Sequence, residues 1–251
     1  MPRWKLTIEY DGTNFLGWQR QDITPSVQGV LEDAIEKFCG ERPTLHVAGR
    51  TDAGVHACGQ VAHVDLPRDY APHEVCNAIT VHARPHKVVI LNAEAVPDTF
   101  HARFDAVKRY YRYIICNRKA PLTLAANYMW HVYHVLDCAK MQRAANVLLG
   151  MHDFTSFRTV DCQAKSPVRS IDSIVITQDG DRIYFDFTAQ SFLHHQVRNI
   201  VGTLKKIGEG SWPEEDMATI LAAKDRSRAG PTAPAHGLYF MRVDYKDSGI
   251  K

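Results

Sequence analysis

The stretch Gly49-Arg50-Thr51-Asp52-Ala53-Gly54 places a guanidinium and a carboxylate close together between two glycines. Glycine permits dihedrals and close backbone approaches that other residues resist, so a loop bracketed in this way can present Asp52 to a ligand. An ionised aspartate can serve as a nucleophile or a base, and Arg50 can hold it in that form through a charge-assisted hydrogen bond. The same residues also make an ordinary turn with a surface Arg–Asp pair, and composition alone favours that turn. Tyr110, Tyr111 and Tyr113 lie in one strand-like run. Alternation sets Tyr111 and Tyr113 on one face and Tyr110 on the other, so at least one ring is core and periodicity alone does not choose which.

Other chemistries find less support. His56, His63 and the pair His194-His195 invite a metal reading, but neither HExxH nor a Cys/His set of zinc spacing is present. Read as neighbours on a helix, His194 and His195 point about 100° apart and do not share one ion. The six cysteines are scattered without a CxxC pair, which fits reduced, mostly buried thiols. No GxSxG elbow marks a hydrolase. No metal is expected.

These residues need elements to position them. Trp4, Leu6, Ile8 and Tyr10 alternate as in a half-buried strand that ends at Asp11-Gly12. Thr24-Pro25 reads as a helix start, followed by the apolar stripe Val27, Val30, Leu31, Ala34, Ile35 and Phe38 up to Gly40. Short strands are expected at Leu45–Ala48 and Gln60–Leu66, on either side of the Asp52 loop, then a helix over 73–83 and a strand at Val88–Val96. The pattern restarts near Asp105. Expected there are a strand at Val107–Cys116, a helix capped by Asp137 running to Leu149, and strands at Val168–Thr177 and Ile183–Ala189. A helix from Phe192 to Ile207, one around Met217–Leu221 and a final strand at Leu238–Tyr245 complete the order. Pro121–Asn127 and Thr159–Pro167 are the long loops, where binding residues commonly sit. The class is α+β, read as two domains of ferredoxin-like flavour, 1–105 and 106–251, with mainly antiparallel sheets and a central cleft.

With 45% hydrophobic and 23% charged residues among 251, the composition is that of a soluble globular protein. No run approaches the ~20 apolar residues of a membrane span, and the N-terminus enters an alternating pattern without an apolar signal region. A cytoplasmic location is the default, with no membrane partner. The net charge is +2, unevenly spread: residues 1–105 hold 10 basic against 14 acidic side chains, the remainder 20 against 14. The second half therefore leans toward polyanions.

Gly49–Ala57, GRTDAGVHA, resembles the signature loop of the tRNA pseudouridine synthase A family, and the likeness runs nearly end to end. It includes YDGTNFLGWQRQ (Tyr10–Gln21), SVQGVLEDAI (Ser26–Ile35), FHARFDAVKRYYRYII (Phe100–Ile115), DFTSFR (Asp153–Arg158), CQAKSPVRSI (Cys162–Ile171), FLHHQVRNIVGTL (Phe192–Leu204) and GPTAPAHGLYF (Gly230–Phe240). Several rare strings in one order are a far more specific signal than one motif. The departure is His82–Val88, where the resemblance leads one to expect an acidic LPxD-type string and the chain has ARPHKV.

The resemblance implies isomerisation of uridine to pseudouridine in the anticodon arm of tRNA, positions 38 to 40, by a homodimer without cofactor or metal. It assigns Asp52 as the catalytic carboxylate with Arg50 beside it, and Tyr111 as the ring on the target base. Arg198 becomes the basic residue near the carboxylate and Leu238 the apolar contact of the uracil. Arg198 lies beside its helix's apolar stripe and Leu238 reads equally well as core. Arg20 and Lys165, in loops of matched motifs, are the favoured phosphate contacts. The alternative is a non-catalytic tRNA-binding or tRNA-folding protein on the same scaffold. Its mark would be loss of Asp52 or Arg50, and both are present.

Overall fold

The computed structural model describes residues 1–21 and 25–246. Among them the fold is α+β, with five α-helices and mostly antiparallel strands. Contacts divide the chain into two compact units, 1–107 together with residues from Tyr239 onward, and 108–238.

The first unit begins with β1 (Arg3–Tyr10), whose Trp4, Leu6, Ile8 and Tyr10 all face inward. A 3₁₀ turn, Gly12–Asn14, follows, capped by the Asp11 side chain accepting from Thr13 N. Helix α1 (Val27–Cys39) buries Val27, Leu31, Ala34 and Ile35 and stops at Gly40, whose φ of 80° suits a residue without Cβ. Its cap is Ser26, whose Oγ accepts from Gly29 N, a bond worth about 1 kcal/mol. Thr24, expected to start this helix, lies outside the described residues. Strand β2 is only His46–Val47, whereas β3 (His56–Asp65) starts four residues earlier than alternation indicated. Nearly every residue of β3 is buried, on both faces, so no polar–apolar alternation marks its start. Helix α2 (Pro72–His82) packs on α1 and on β4 (Val88–Val96).

The second unit is built on β5 (Ala106–Asn117), with the three-residue β6 (Trp130–Val132) parallel to its end. Helix α3 (Cys138–Asn146), capped by Asp137 accepting from Lys140 N, ends before Leu149, where its expected span reached. Strand β7 (Gly150–Asp153) follows, then β8 (Val168–Asp179) and β9 (Arg182–Ala189). The pairing order β5-β9-β8-β7 is antiparallel throughout. Sequence gave no sign of β6 and β7, which are too short to display a period.

Helix α4 (Gln196–Gly208) starts four residues later than the expected Phe192. His195 holds φ at 62° and breaks the helical path before it, so the His194-His195 pair is not helical and the 100° separation does not apply; their rings lie 4.2 Å apart. Helix α5 (Asp216–Ala223) completes the unit. Strand β10 (Leu238–Tyr245) then joins the first unit, where Tyr239 and Phe240 pair in parallel with His56 and Ala57. Strand order there is β4-β1-β3-β10, and β2 lies on β3 beyond the β10 pairing. All six cysteines are free thiols.

Candidate functional site

The Asp52 loop links β2 to β3 and is gripped from several directions within its own unit. From the 12–18 segment, Trp18 N donates to Thr51 O (3.0 Å), while Gly54 N donates to Phe15 O (3.3 Å). Gly17 has φ +87°, and a Cβ there would lie 2.6 Å from Thr51 O; a Cβ on Gly12 would lie 2.1 Å from Val55 O. The two glycines of the YDGTNFLGW run thus allow one backbone to lie directly on another. Within the loop, Val55 N closes a turn on Asp52 O (3.2 Å). Only Gly54 of the two bracketing glycines is left-handed (φ 78°); Gly49 serves through its carbonyl, which accepts from Gln60 Nε2 at 2.8 Å.

Beneath the loop lies Tyr10, 3% exposed, its hydroxyl 2.7 Å from Thr51 Oγ1. Burial pushes this phenol up to about 12, against the hydrogen bonds to Thr51 and Gln60, and the nearby charge of Asp52 adds to the rise. Tyr10 is therefore a neutral strut at working pH, joined to the residue next to Asp52. Asp52 itself is half-buried and Arg50 exposed, and Arg50 makes no ion pair with Asp52 among the described residues. The charge-assisted bond considered from sequence is thus not made within the loop. Tyr10, Thr51, Gln60 and Gly17 were not singled out in the sequence. Alternation marks Tyr10 as core but carries no information on its hydroxyl partner.

Downstream, His56 is buried and stacks on Tyr239 (4.8 Å, 27°), while its Nδ1 accepts from Gly12 N at 3.0 Å. His63 clusters with His46 and His101, their ring nitrogens within 4.8 Å, a spacing open to a metal ion. Two of the three Nδ1 atoms are otherwise engaged. His63 Nδ1 accepts from Ala102 N, and His101 Nδ1 from Arg103 N. Each neutral ring then carries its proton on Nε2, so that nitrogen is a donor and not a ligand.

In the second unit the tyrosines separate. Tyr113 is fully buried, donates to Pro234 O (2.8 Å) and presses on Gly237, where a Cβ would meet its ring at 2.6 Å. It is the core member. Tyr111 is half-buried, with its ring edge-to-face against Phe192 (5.1 Å, 84°). Arg198, also half-buried, donates through Nε to Ala233 O (2.8 Å), and its own carbonyl accepts from Ala233 N. The 230–237 loop lies hard against α4 at Gly202, where a Cβ would sit 1.7 Å from Pro231 O. Leu238, 5% exposed, is buried at the end of that loop.

The two favoured phosphate contacts differ from one another. Lys165 is exposed in its loop. Arg20 reaches Glu32 (3.2 Å) and Asp33 (3.3 Å) on α1. Glu32 is only 5% exposed and also accepts from Gln28 Nε2 and Leu45 N, so Arg20 neutralises a buried carboxylate. No helix among the described residues is long and apolar enough to cross a membrane.

Comparison with known proteins covers nearly the whole chain. The profile of the tRNA pseudouridine synthase family matches residues 6–105 and 144–246. A tRNA pseudouridine synthase A from Paramagnetospirillum magneticum is 56% identical over all of this chain and 98% of its own length. The protein of the same name from Parvibaculum lavamentivorans is 55% identical over 98% of this chain and 100% of its own. That from Azorhizobium caulinodans is 53% identical over 100% and 97%.

Proposed function

Because the chain belongs to the tRNA pseudouridine synthase family, we propose that it isomerises uridine to pseudouridine in tRNA, with Asp52 as the catalytic carboxylate. The C1′–N1 bond breaks, the uracil turns, C1′–C5 forms, C5 gives up its proton to solvent and N1 takes one up, so atoms and charge balance. Nothing is oxidised or reduced, so the reaction requires neither cofactor nor metal. Whether Asp52 attacks the ribose carbon or promotes loss of the base, it acts as the carboxylate. The observation that carries this reading is the clamped loop: backbone bonds from Trp18 and Gly54, and the Tyr10–Thr51 contact, fix the peptides on both sides of Asp52. Preorganisation of this kind is what placing a reacting group requires.

In this reading Tyr111 stacks on the extruded uracil, Arg198 and Arg50 act near the carboxylate, and Leu238 contacts the base. Lys165 meets phosphate. Arg20, tied to Glu32, contributes more through the fold than through RNA. The target is the anticodon arm, positions 38 to 40, and the acting species a cytoplasmic homodimer of chains with two ferredoxin-like domains and a central cleft. The non-catalytic tRNA-binding alternative has no observation in its favour, since Asp52 and Arg50 are both in place.

The test is Asp52→Asn, nearly isosteric but unable to act as nucleophile or base. Tritium release from 5-tritiated uridine in tRNA should vanish while filter binding of tRNA and the unfolding midpoint stay at parental values. Turnover within about tenfold of the parent overturns the assignment. Activity lost on dialysis against a chelator and restored by one metal overturns the metal-free reaction.

A further inference from the structure

Pro85, His86 and Lys87, in the stretch where the resemblance led one to expect an LPxD-type string, form part of a cleft. Asp11, Asn14, Phe15 and Pro25 line one side and Pro85, His86 and Lys87 the other, enclosing about 330 Å³. That is the lower end of the range for small-ligand sites, room for one nucleoside but not for a helix. The walls are joined by backbone, with Asp11 N donating to Lys87 O at 3.1 Å, and by the Lys87 Nζ–Asp11 Oδ2 pair at 3.0 Å. Phe15 is buried with its ring 5.9 Å from that of the exposed His86, tilted by 37°.

The chemistry of these walls is that of nucleotide recognition. An imidazole face and two proline faces accept a planar base, as aromatic platforms do in single-strand binding. The exposed Asn14 amide offers a donor and an acceptor for a base edge, whereas the Asp11 carboxylate is taken up by Thr13 and Lys87. Lys87, its side chain 65% exposed, supplies positive charge for a phosphate. One wall is moreover the same turn that grips the Asp52 loop: Gly12 N bonds His56, and Phe15 O receives Gly54 N. The cleft therefore shares a wall with the turn that holds the Asp52 loop.

We propose that this cleft docks one nucleotide of the RNA substrate other than the reacting uridine, its base against His86 and its phosphate at Lys87. The proposal rests on the enzyme reading above. It assigns a second contact point in the first unit, which otherwise carries an acidic excess.

The probes are transcripts of a tRNA with uridine at positions 38 to 40, intact and with single abasic substitutions through the anticodon arm. The full-length protein is compared with His86→Ala, Asn14→Ala and Lys87→Gln, each checked for a parental unfolding midpoint. His86→Ala should weaken binding of the intact transcript about tenfold, as loss of one stacked base does. Lys87→Gln should reduce the slope of log affinity against log salt by about 0.7 to 0.9, one phosphate contact. At one abasic position the penalty of His86→Ala should disappear, because the base it serves is gone. Parental affinity and slope in both variants, or additive losses at every abasic position, overturn the docking site while enzyme activity stands. Should His86→Ala not fold, Asn14→Ala is judged by the same abasic comparison. A parent that neither releases tritium nor prefers tRNA over unrelated RNA overturns the enzyme reading and this one with it.

Discussion

Burial acts in opposite senses on two side chains of the first unit. The Tyr10 phenol rises to about 12 and stays neutral, so its hydroxyl works only as a hydrogen-bonding strut on Thr51. Tyr10→Phe should lower turnover several-fold with tRNA affinity unchanged, and lower stability by about 1 kcal/mol, the usual net value of one such bond. Single-turnover rates beside urea unfolding check this, and parental turnover would show that the loop does not need the strut. His63 is pushed down to about 4, first by burial and then by His46, His101 and Arg3, with Asp65 opposing. Between pH 6.5 and 4 the unfolded imidazole binds a proton that the folded one refuses, so stability falls as pH falls through that window. The slope approaches about 1.4 kcal/mol per pH unit. His63→Asn, whose Oδ1 can still accept from Ala102 N, should flatten it in denaturant titrations at a series of pH values. Among the tyrosines, the alternation that left Tyr111 and Tyr113 equivalent could not see Pro234, more than a hundred residues away, which claims the Tyr113 hydroxyl. Tyr111→Ala should therefore cost turnover by the worth of one stacked base, roughly 1–3 kcal/mol, while Tyr111→Phe keeps that part. Tyr113→Phe should mainly cost stability. A Tyr111→Ala enzyme as fast as its parent removes that ring from the site.

Among the elements, those with a clean period were readable and those set by distant partners were not. Strand β1 and helix α1 carry patterns that one buried face imposes, and both fall within a residue or two of expectation. Strand β3 loses its pattern because neighbours cover both faces, and α4 begins late because His195 takes a left-handed φ that periodicity cannot register. The candidate loop was legible as a motif, but the segment that holds it was not. Gly17 reads as one more glycine until Thr51 O is seen where its Cβ would stand. Gly17→Ala combines a φ of +87° with that clash, and should destabilise the protein by about 1–3 kcal/mol and reduce turnover by more than tRNA binding. Thermal unfolding and single-turnover assays on the same preparation separate the two effects. Turnover and stability both at parental level would show that the 12–18 segment does not support the loop.

Taken whole, a molecule of net charge +2 has little general attraction for RNA, so affinity must come from a localised basic track. Log affinity for full tRNA should fall with log salt by about 0.7 to 0.9 for each phosphate contact, and a short uridine-containing strand should show a much shallower slope and react poorly. Equal efficiency and equal slopes for the two would contradict extended docking. The order of the chain in space has a further consequence for the birth of the protein. Synthesis runs from N- to C-terminus and domains tend to form as they emerge, yet the first unit lacks β10 until residues near 245 have been made. Before that, β3 has an open edge where Tyr239 and Phe240 will pair, His56 has no ring above it, and Ala102 O awaits the Tyr245 hydroxyl. The half of the chain that carries Asp52 is thus the first to be translated and the last to be completed. A ribosome that stops short of the final strand yields a nascent chain with the signature loop in sequence and its supporting sheet unfinished.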